Sequence, residues 1–174
     1  MSEIADRIEE TGAIKRGRFT LSDGSLTDYY IDKYVFETRP DVLAAVTTEL
    51  AARVDTDAID TIVGPALGAV PLVTALSLEL GVESAFVRKG DQLRGTQARI
   101  EGEIGKGQRV LVVEDVTTTG KTALETARIV EESGGLVDRI LTVVDRNEGA
   151  ETNVRDAGYA FEALLTVGED LSVE

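Results

Sequence analysis

The sequence predicts an α/β fold: a mostly parallel sheet with helices on both faces and a small N-terminal hood, in one domain over residues 1–174. Three observations predict it. From about residue 40, short apolar runs alternate with segments of helical period. The run Val110–Val113 is apolar at every position, as in a strand buried on both faces. Two strand–helix junctions, Gly64–Gly68 and Glu114–Thr122, carry glycine-bearing loops at the strand carboxyl ends, where open α/β sheets bind ligands.

Ser2 suits the N-cap of a first helix, with Ile4 and Ile8 on one face and an end near Gly12. Phe19-Thr20-Leu21, a turn at Ser22-Asp23-Gly24 and Tyr29-Tyr30-Ile31-Asp32-Lys33 read as a hairpin-like pair of strands. With the first helix they make the hood, residues 1–40. Pro40 opens a helix to about Arg53 that turns Val42, Leu43, Val46 and Leu50 inward. Ile59–Val63 reads as a core strand, followed by the Gly64–Gly68 loop and a helix over Val70–Leu80. That loop is either a tight turn or a place where backbone N–H groups approach a pyrophosphate.

Ser84–Arg88 is a further strand. Residues 88–105 have no apolar period and read as a long loop, a length usual for functional segments. Between Arg88 and Arg99 this loop holds Arg88, Lys89, Arg94 and Arg99 against a single acid, Asp91. On an acidic chain that reversal of sign suits a mobile cationic lid over a polyanion. The helix after Lys121 runs to Ser133 and stops at Gly134-Gly135. Leu136–Val144 is the next strand, ending at Asp145-Arg146-Asn147-Glu148-Gly149, where an arginine can fork onto a carboxylate. A helix over Glu151–Ala157 and a strand over Tyr159–Val167 complete the pattern, with an exposed acidic tail.

Composition sets limits. Cysteine and histidine are both absent, which excludes disulfides, thiolate chemistry and every mechanism built on an imidazole. The net charge of −14 opposes a nucleic-acid-binding face. No run of 18 apolar residues and no leader pattern occurs, so the expectation is a soluble, cytoplasmic protein without membrane contact. Dense acidity with only five lysines fits the interior of a salt-accumulating microbe, and a halophilic archaeon is the expected source.

The stretch VLVVEDVTTTGKT, residues 110–122, carries the chemistry. Glu114 and Asp115 follow a buried strand, an expensive place for two acids unless they bind something. Carboxylates there suit ribose hydroxyls or a Mg²⁺ shell. Thr117, Thr118, Thr119 and Thr122 add hydroxyls, and the helix that starts near Lys121 offers unpaired N–H groups to a phosphate. A ribose bearing a phosphate satisfies both halves. Asp115 stands where a Walker A nucleotide loop needs glycine, which argues against that reading of Gly120-Lys121-Thr122.

EDVTTTGKT resembles the phosphoribosyl-pyrophosphate (PRPP) loop of type I phosphoribosyltransferases. FTLSDGSLTDYYIDK and FVRKGDQLRGT resemble the N-terminal segment and the catalytic flap of the orotate phosphoribosyltransferases. The resemblance implies the type I phosphoribosyltransferase fold and Mg²⁺-dependent transfer of phosphoribose from PRPP to orotate, in the synthesis of pyrimidine nucleotides. It implies that PRPP meets Arg88, Lys89, Arg94, Glu114, Asp115, Val116, Thr117, Thr118, Thr119, Gly120, Lys121 and Thr122, with Arg88, Lys89, Arg94 and Asp115 catalytic. Orotate meets Thr118, Arg146 and Tyr30. Mg²⁺ is carried by PRPP oxygens without a direct protein ligand. The likeness also implies a homodimer whose flap, residues 88–105, serves the neighbouring subunit. The chain departs from the family pattern at Gln92 and Arg94, which replace a lysine and a histidine, and at Gly68, where some members have lysine. A PRPP- or nucleotide-sensing regulator on the same fold, or a purine-base phosphoribosyltransferase, stays open as an alternative.

Overall fold

The computed structural model describes residues 3–20, 24, 26–88 and 99–173. The chain opens with α1 (Glu3–Glu10), which buries Ile4, Ala5 and Ile8. Strands β1 (Ile14–Thr20) and β2 (Leu26–Ile31) pair antiparallel as a separate two-stranded sheet. A bulge between Arg16 and Phe19 bends it. Lys33 was expected to end a strand. It opens a one-turn helix instead, α2 (Lys33–Glu37), because Asp32 hydrogen-bonds back to Ala13 and closes the hairpin one residue earlier. Phe36 on that turn is fully buried and pins the hood to the core.

Helix α3 (Pro40–Ala51) starts at its proline, as expected. The next strand lies further along than the sequence suggests: β3 covers Thr61–Ala66 and includes Gly64 and Pro65. Pairing explains this. Strand β4 (Glu83–Arg88) runs beside all of β3, whereas β6 (Arg109–Thr117) pairs with β3 only as far as Val63. One side of β3 is therefore without a ladder at Pro65, which has no N–H to give. Helix α4 (Val70–Leu80) agrees residue for residue with its predicted span.

The segment 88–105 is not loop throughout. Strand β5 (Ile100–Glu101) pairs antiparallel with β4, and Arg88 N–H donates to Arg99 O, so the two ends of this segment meet in a short ladder. Strand β6 runs through Glu114 and Asp115 to Thr117. The acids belong to the strand because β7 (Leu136–Asp145) continues alongside, with Glu114 opposite Thr142 and Thr117 opposite Asp145. Helix α5 (Lys121–Glu132), helix α6 (Ala150–Asp156) and β8 (Ala160–Thr166) complete the chain.

The main sheet has the order β5-β4-β3-β6-β7-β8, parallel except at β5. Its pleat sorts the core into two layers. Ile62, Leu111, Val113, Leu141 and Leu165 face α1, α3, α4 and the hood. Val112 and Ile140 face Ala123 and Ala127 of α5 and Val154 of α6, while Val63 and Val110 meet Ile129 and Val130 of α5. Helices thus cover both faces. Among the described residues no helix is long and apolar enough to cross a membrane.

Candidate active site

The site lies at the carboxyl edge of β3, β6 and β7, where the chain leaves three adjacent strands. Glu114 and Asp115 are both buried there. The pleat turns them to opposite faces: Glu114 follows Val110 and Val112 toward the α5 layer, and Asp115 follows Leu111 and Val113 toward the hood. Glu114, Val116, Thr117, Thr118, Thr119, Gly120, Lys121 and Thr122 line one small cavity of about 50 Å³. Gly120 caps α5 with a φ of 76°, in the left-handed region. A Cβ there would come within 3.0 Å of Val154 Cγ2. Asn153 Nδ2 donates to Thr119 O at 2.9 Å and ties the loop to α6.

The expected loop residues do not all present their side chains to this cavity. Thr117 is buried, and its hydroxyl lies 3.4 Å from Asp145 Oδ1. Burial pushes the Asp145 carboxyl above the ordinary carboxylate range, and hydrogen bonds from Asn147 N–H and Thr117 only partly offset this. Thr118 and Thr122 are half-buried, and Thr119 and Lys121 are exposed.

Asp115 is engaged at both oxygens. Oδ1 accepts from the Val116 N–H at 2.5 Å, and Oδ2 takes an ion pair from Lys33 Nζ. Burial works against the Lys33 charge, but Asp115 outweighs it and holds the ammonium above its usual pKa. Glu37, one turn further along α2, is only 2% exposed, and neither carboxylate oxygen has a hydrogen-bond partner. Its pKa is pushed from 4.5 up to about 8, first by burial, then by the Asp115 charge. Glu37 escaped the sequence reading, and Lys33 entered it only as the end of the FTLSDGSLTDYYIDK segment, without a role of its own. The available signals were a lysine directly after the tyrosine strand, on a chain with five, and an acid four residues on beside Phe36.

Beside this group the β3–α4 loop passes through a cis Ala66–Leu67 peptide to Gly68. A Cβ on Gly68 would fall 2.0 Å from Lys33 Nζ and 2.4 Å from Asp115 Oδ2. Gly64, the first residue of the Gly64–Gly68 stretch, serves packing. Its Cβ would meet Val113 O at 2.8 Å and Ala69 Cβ at 2.9 Å, so it lets β3, β6 and α4 pack closely. Arg88 stands opposite Ala66 at the same edge, with Nη1 3.2 Å from Glu101 Oε1. Lys89 and Arg94, with Gln92, lie outside the described residues.

Arg146 leaves the end of β7 and is 5% exposed. Its N–H donates to Thr117 O at 2.9 Å, so it adjoins the β6 loop. Nε donates to Glu148 Oε1 at 2.8 Å and Nη2 to Thr27 Oγ1 at 3.0 Å, and the guanidinium stacks on Tyr29. Tyr29, not Tyr30, faces the arginine. Buried Ile31 fixes the parity of β2, which turns Thr27 and Tyr29 inward and leaves Tyr30 40% exposed against Phe19. Among the described residues no group of three or more Asp or Glu is placed to hold a metal ion.

Comparison with known proteins gives concordant likenesses. Residues 36–159 match the phosphoribosyl transferase domain family. Over 170 residues the chain is 41% identical to the orotate phosphoribosyltransferase of Natronomonas pharaonis, covering 98% of this chain and 96% of that one. The Leishmania donovani UMP synthase superposes with a TM-score of 0.83 at 32% identity, over 94% of this chain and 36% of the synthase. The orotate phosphoribosyltransferase of Mycobacterium tuberculosis H37Rv in complex with PRPP gives a TM-score of 0.75 at 32% identity over 94% of both chains.

Proposed function

The chain belongs to the phosphoribosyl transferase family, among its orotate phosphoribosyltransferases, and from that premise we propose how this edge moves phosphoribose from PRPP to orotate. The products are orotidine 5′-monophosphate and pyrophosphate. Orotate N1, its proton released to solvent, bonds to the anomeric carbon. The bond from that carbon to the diphosphate oxygen breaks, and the electron pair leaves with the diphosphate. The anomeric carbon gains positive charge in between, so the protein's work is positioning and electrostatics.

One observation carries this reading. The acid pair stands on β6 with its loop following, Arg146 directly follows adjacent β7, and Thr117 and Arg146 are joined by a backbone hydrogen bond. A ribose on the first is thus beside a carboxylate receptor on the second. Glu114 and Asp115 hold the ribose hydroxyls and favour the developing cation. Thr118–Thr122 and the first N–H groups of α5 hold the 5′-phosphate. Val116 and Thr117 contribute backbone, since the Thr117 hydroxyl is turned toward Asp145. Arg146 takes the orotate carboxylate with Thr118 beside it, and Tyr29 assumes the role expected of Tyr30. Arg88, Lys89 and Arg94 neutralise the leaving diphosphate, acting across a homodimer.

Glu114 and Asp115 offer the hard oxygen donors Mg²⁺ takes, but only two of them, which suits an ion brought in on PRPP oxygens. Once bound, Mg²⁺ neutralises diphosphate charge. The test supplies PRPP and Mg²⁺ with orotate, then with each purine base, and follows pyrophosphate release. Turnover with orotate alone is expected. Turnover with a purine base overturns the base assignment, and binding without turnover favours a PRPP-sensing regulator.

A further inference from the structure

We propose that Lys33 is a diphosphate-positioning residue, a cation supplied by the hood to a loop whose own side chain at residue 68 is absent. This rests on the site being one for PRPP and orotate.

Strand order divides the edge. The 5′-phosphate cradle follows β6, and Arg146 takes the base on the β7 side. The anomeric carbon and the 5′-carbon lie at opposite ends of a ribose held by its hydroxyls. The diphosphate therefore points away from the cradle and from β7, toward β3 and its Leu67–Gly68 loop. That loop offers no charged side chain of its own. The space a Gly68 side chain would fill is taken by the Lys33 ammonium, 2.0 Å from the position of its Cβ. Any larger residue at 68 would evict the lysine.

The lysine is held in reserve. Its ammonium is paired with Asp115, the carboxylate assigned to the ribose hydroxyls. When those hydroxyls bind Asp115, Lys33 shares its ion-pair partner, beside the loop where the diphosphate must lie. It then turns from carboxylate to diphosphate, a move of side-chain torsions only. Glu37 stands four residues on along α2, within electrostatic reach of both Lys33 and Asp115. Burial keeps Glu37 largely protonated near neutral pH, so Asp115 is the anion of this group, and without the lysine it would face a polyanion alone. A cation at this place acts on PRPP and pyrophosphate and leaves the orotate carboxylate to Arg146.

The test uses the full chain and magnesium pyrophosphate as the probe, read by calorimetry, alongside steady-state kinetics. Lys33→Ala is expected to weaken pyrophosphate binding and raise KM for PRPP by about tenfold or more, with KM for orotate changed by less than about threefold. Should Lys33→Ala fail to fold, Lys33→Gln leaves a polar side chain beside Asp115 without the charge, and the same loss is read there. Parent-like pyrophosphate affinity in the lysine-free variant overturns the proposal. A parent protein that fails to release pyrophosphate from PRPP and orotate strikes at the proposed function instead, so the two failures are distinguishable.

Discussion

The Arg146 guanidinium carbon lies 4.3 Å from the centroid of the Tyr29 ring, and this contact ties the hood to the end of β7. The same guanidinium holds Glu148 and Thr27, so it is fixed before any substrate arrives. Fixed donors are what carboxylate recognition needs, because less rotamer freedom is lost on binding.

Arg146→Lys keeps the charge but removes the fork. It should lower kcat/KM for orotate by at least about tenfold while KM for PRPP stays within about threefold. Tyr29→Phe keeps the ring under the guanidinium and should behave almost like the parent. Tyr29→Ala removes a contact of about 0.5–2 kcal/mol and should raise KM for orotate. Steady-state kinetics with each substrate varied in turn decides it. An Arg146→Lys enzyme with unchanged orotate kinetics would remove the arginine from base recognition.

Asp115→Asn should cost at least about tenfold in rate, since a charge placed for the transition state can be worth about 3–4 kcal/mol. Arg88→Ala should cost at least about tenfold as well, through the leaving diphosphate. Single-turnover measurement at saturating PRPP isolates the chemical step. Turnover close to the parent in either variant would refute the role given to that residue.

Glu37 predicts a pH dependence. Its carboxyl has an ordinary value of 4.5 and is raised to about 8 in the folded chain. The folded state thus binds the proton more tightly than the unfolded state. Stability is fully present below the unfolded value and is lost as pH rises through the folded one, by an amount on the order of a few kcal/mol. Glu37→Gln cannot ionise and loses this slope. Melting temperatures at about pH 5 should be similar for the two proteins, and at about pH 9 the variant should be the more stable. Parallel pH profiles would show that Glu37 does not titrate with folding.

Much of the fold was legible because it rests on local pattern. Val70–Leu80 has helical period and a proline in its first turn, and the apolar run at Val110–Val113 marks a central strand. The boundaries that moved were set by neighbours. β3 extends through Pro65 because β4 pairs with it to Ala66, with the proline tolerated where pairing to β6 has ended at Val63, and β6 extends through its acids because β7 runs on beside them. The phosphate loop was legible because contiguous residues make it. Lys33 was not, because its meaning comes from Asp115, 82 residues away. Parity could have favoured Tyr29 over Tyr30, since an inward Ile31 on the same strand turns Tyr29 inward with it.

Salt dependence tests the reading of the surface. The chain carries 32 acidic residues against 18 basic ones. Many of its ion pairs are exposed, such as Arg7–Glu3 and Arg155–Glu151, and contribute little each. Net repulsion among the acids is therefore not cancelled by local pairing. The screening length falls from about 10 Å at 0.1 M salt to about 3 Å at 1 M, which removes most repulsion between separated surface charges. The Lys33–Asp115 pair is partly buried and is screened far less, so the site should keep its geometry. Melting in molar KCl should occur well above melting in dilute buffer, at about 2–4 °C for each kcal/mol of repulsion relieved. Replacing a set of exposed surface acids distant from the site by their amides should raise the low-salt melting point and flatten the KCl response. A melting temperature indifferent to KCl would mean that the acidic surface is tolerated at no cost, and would withdraw the expectation of a salt-accumulating source.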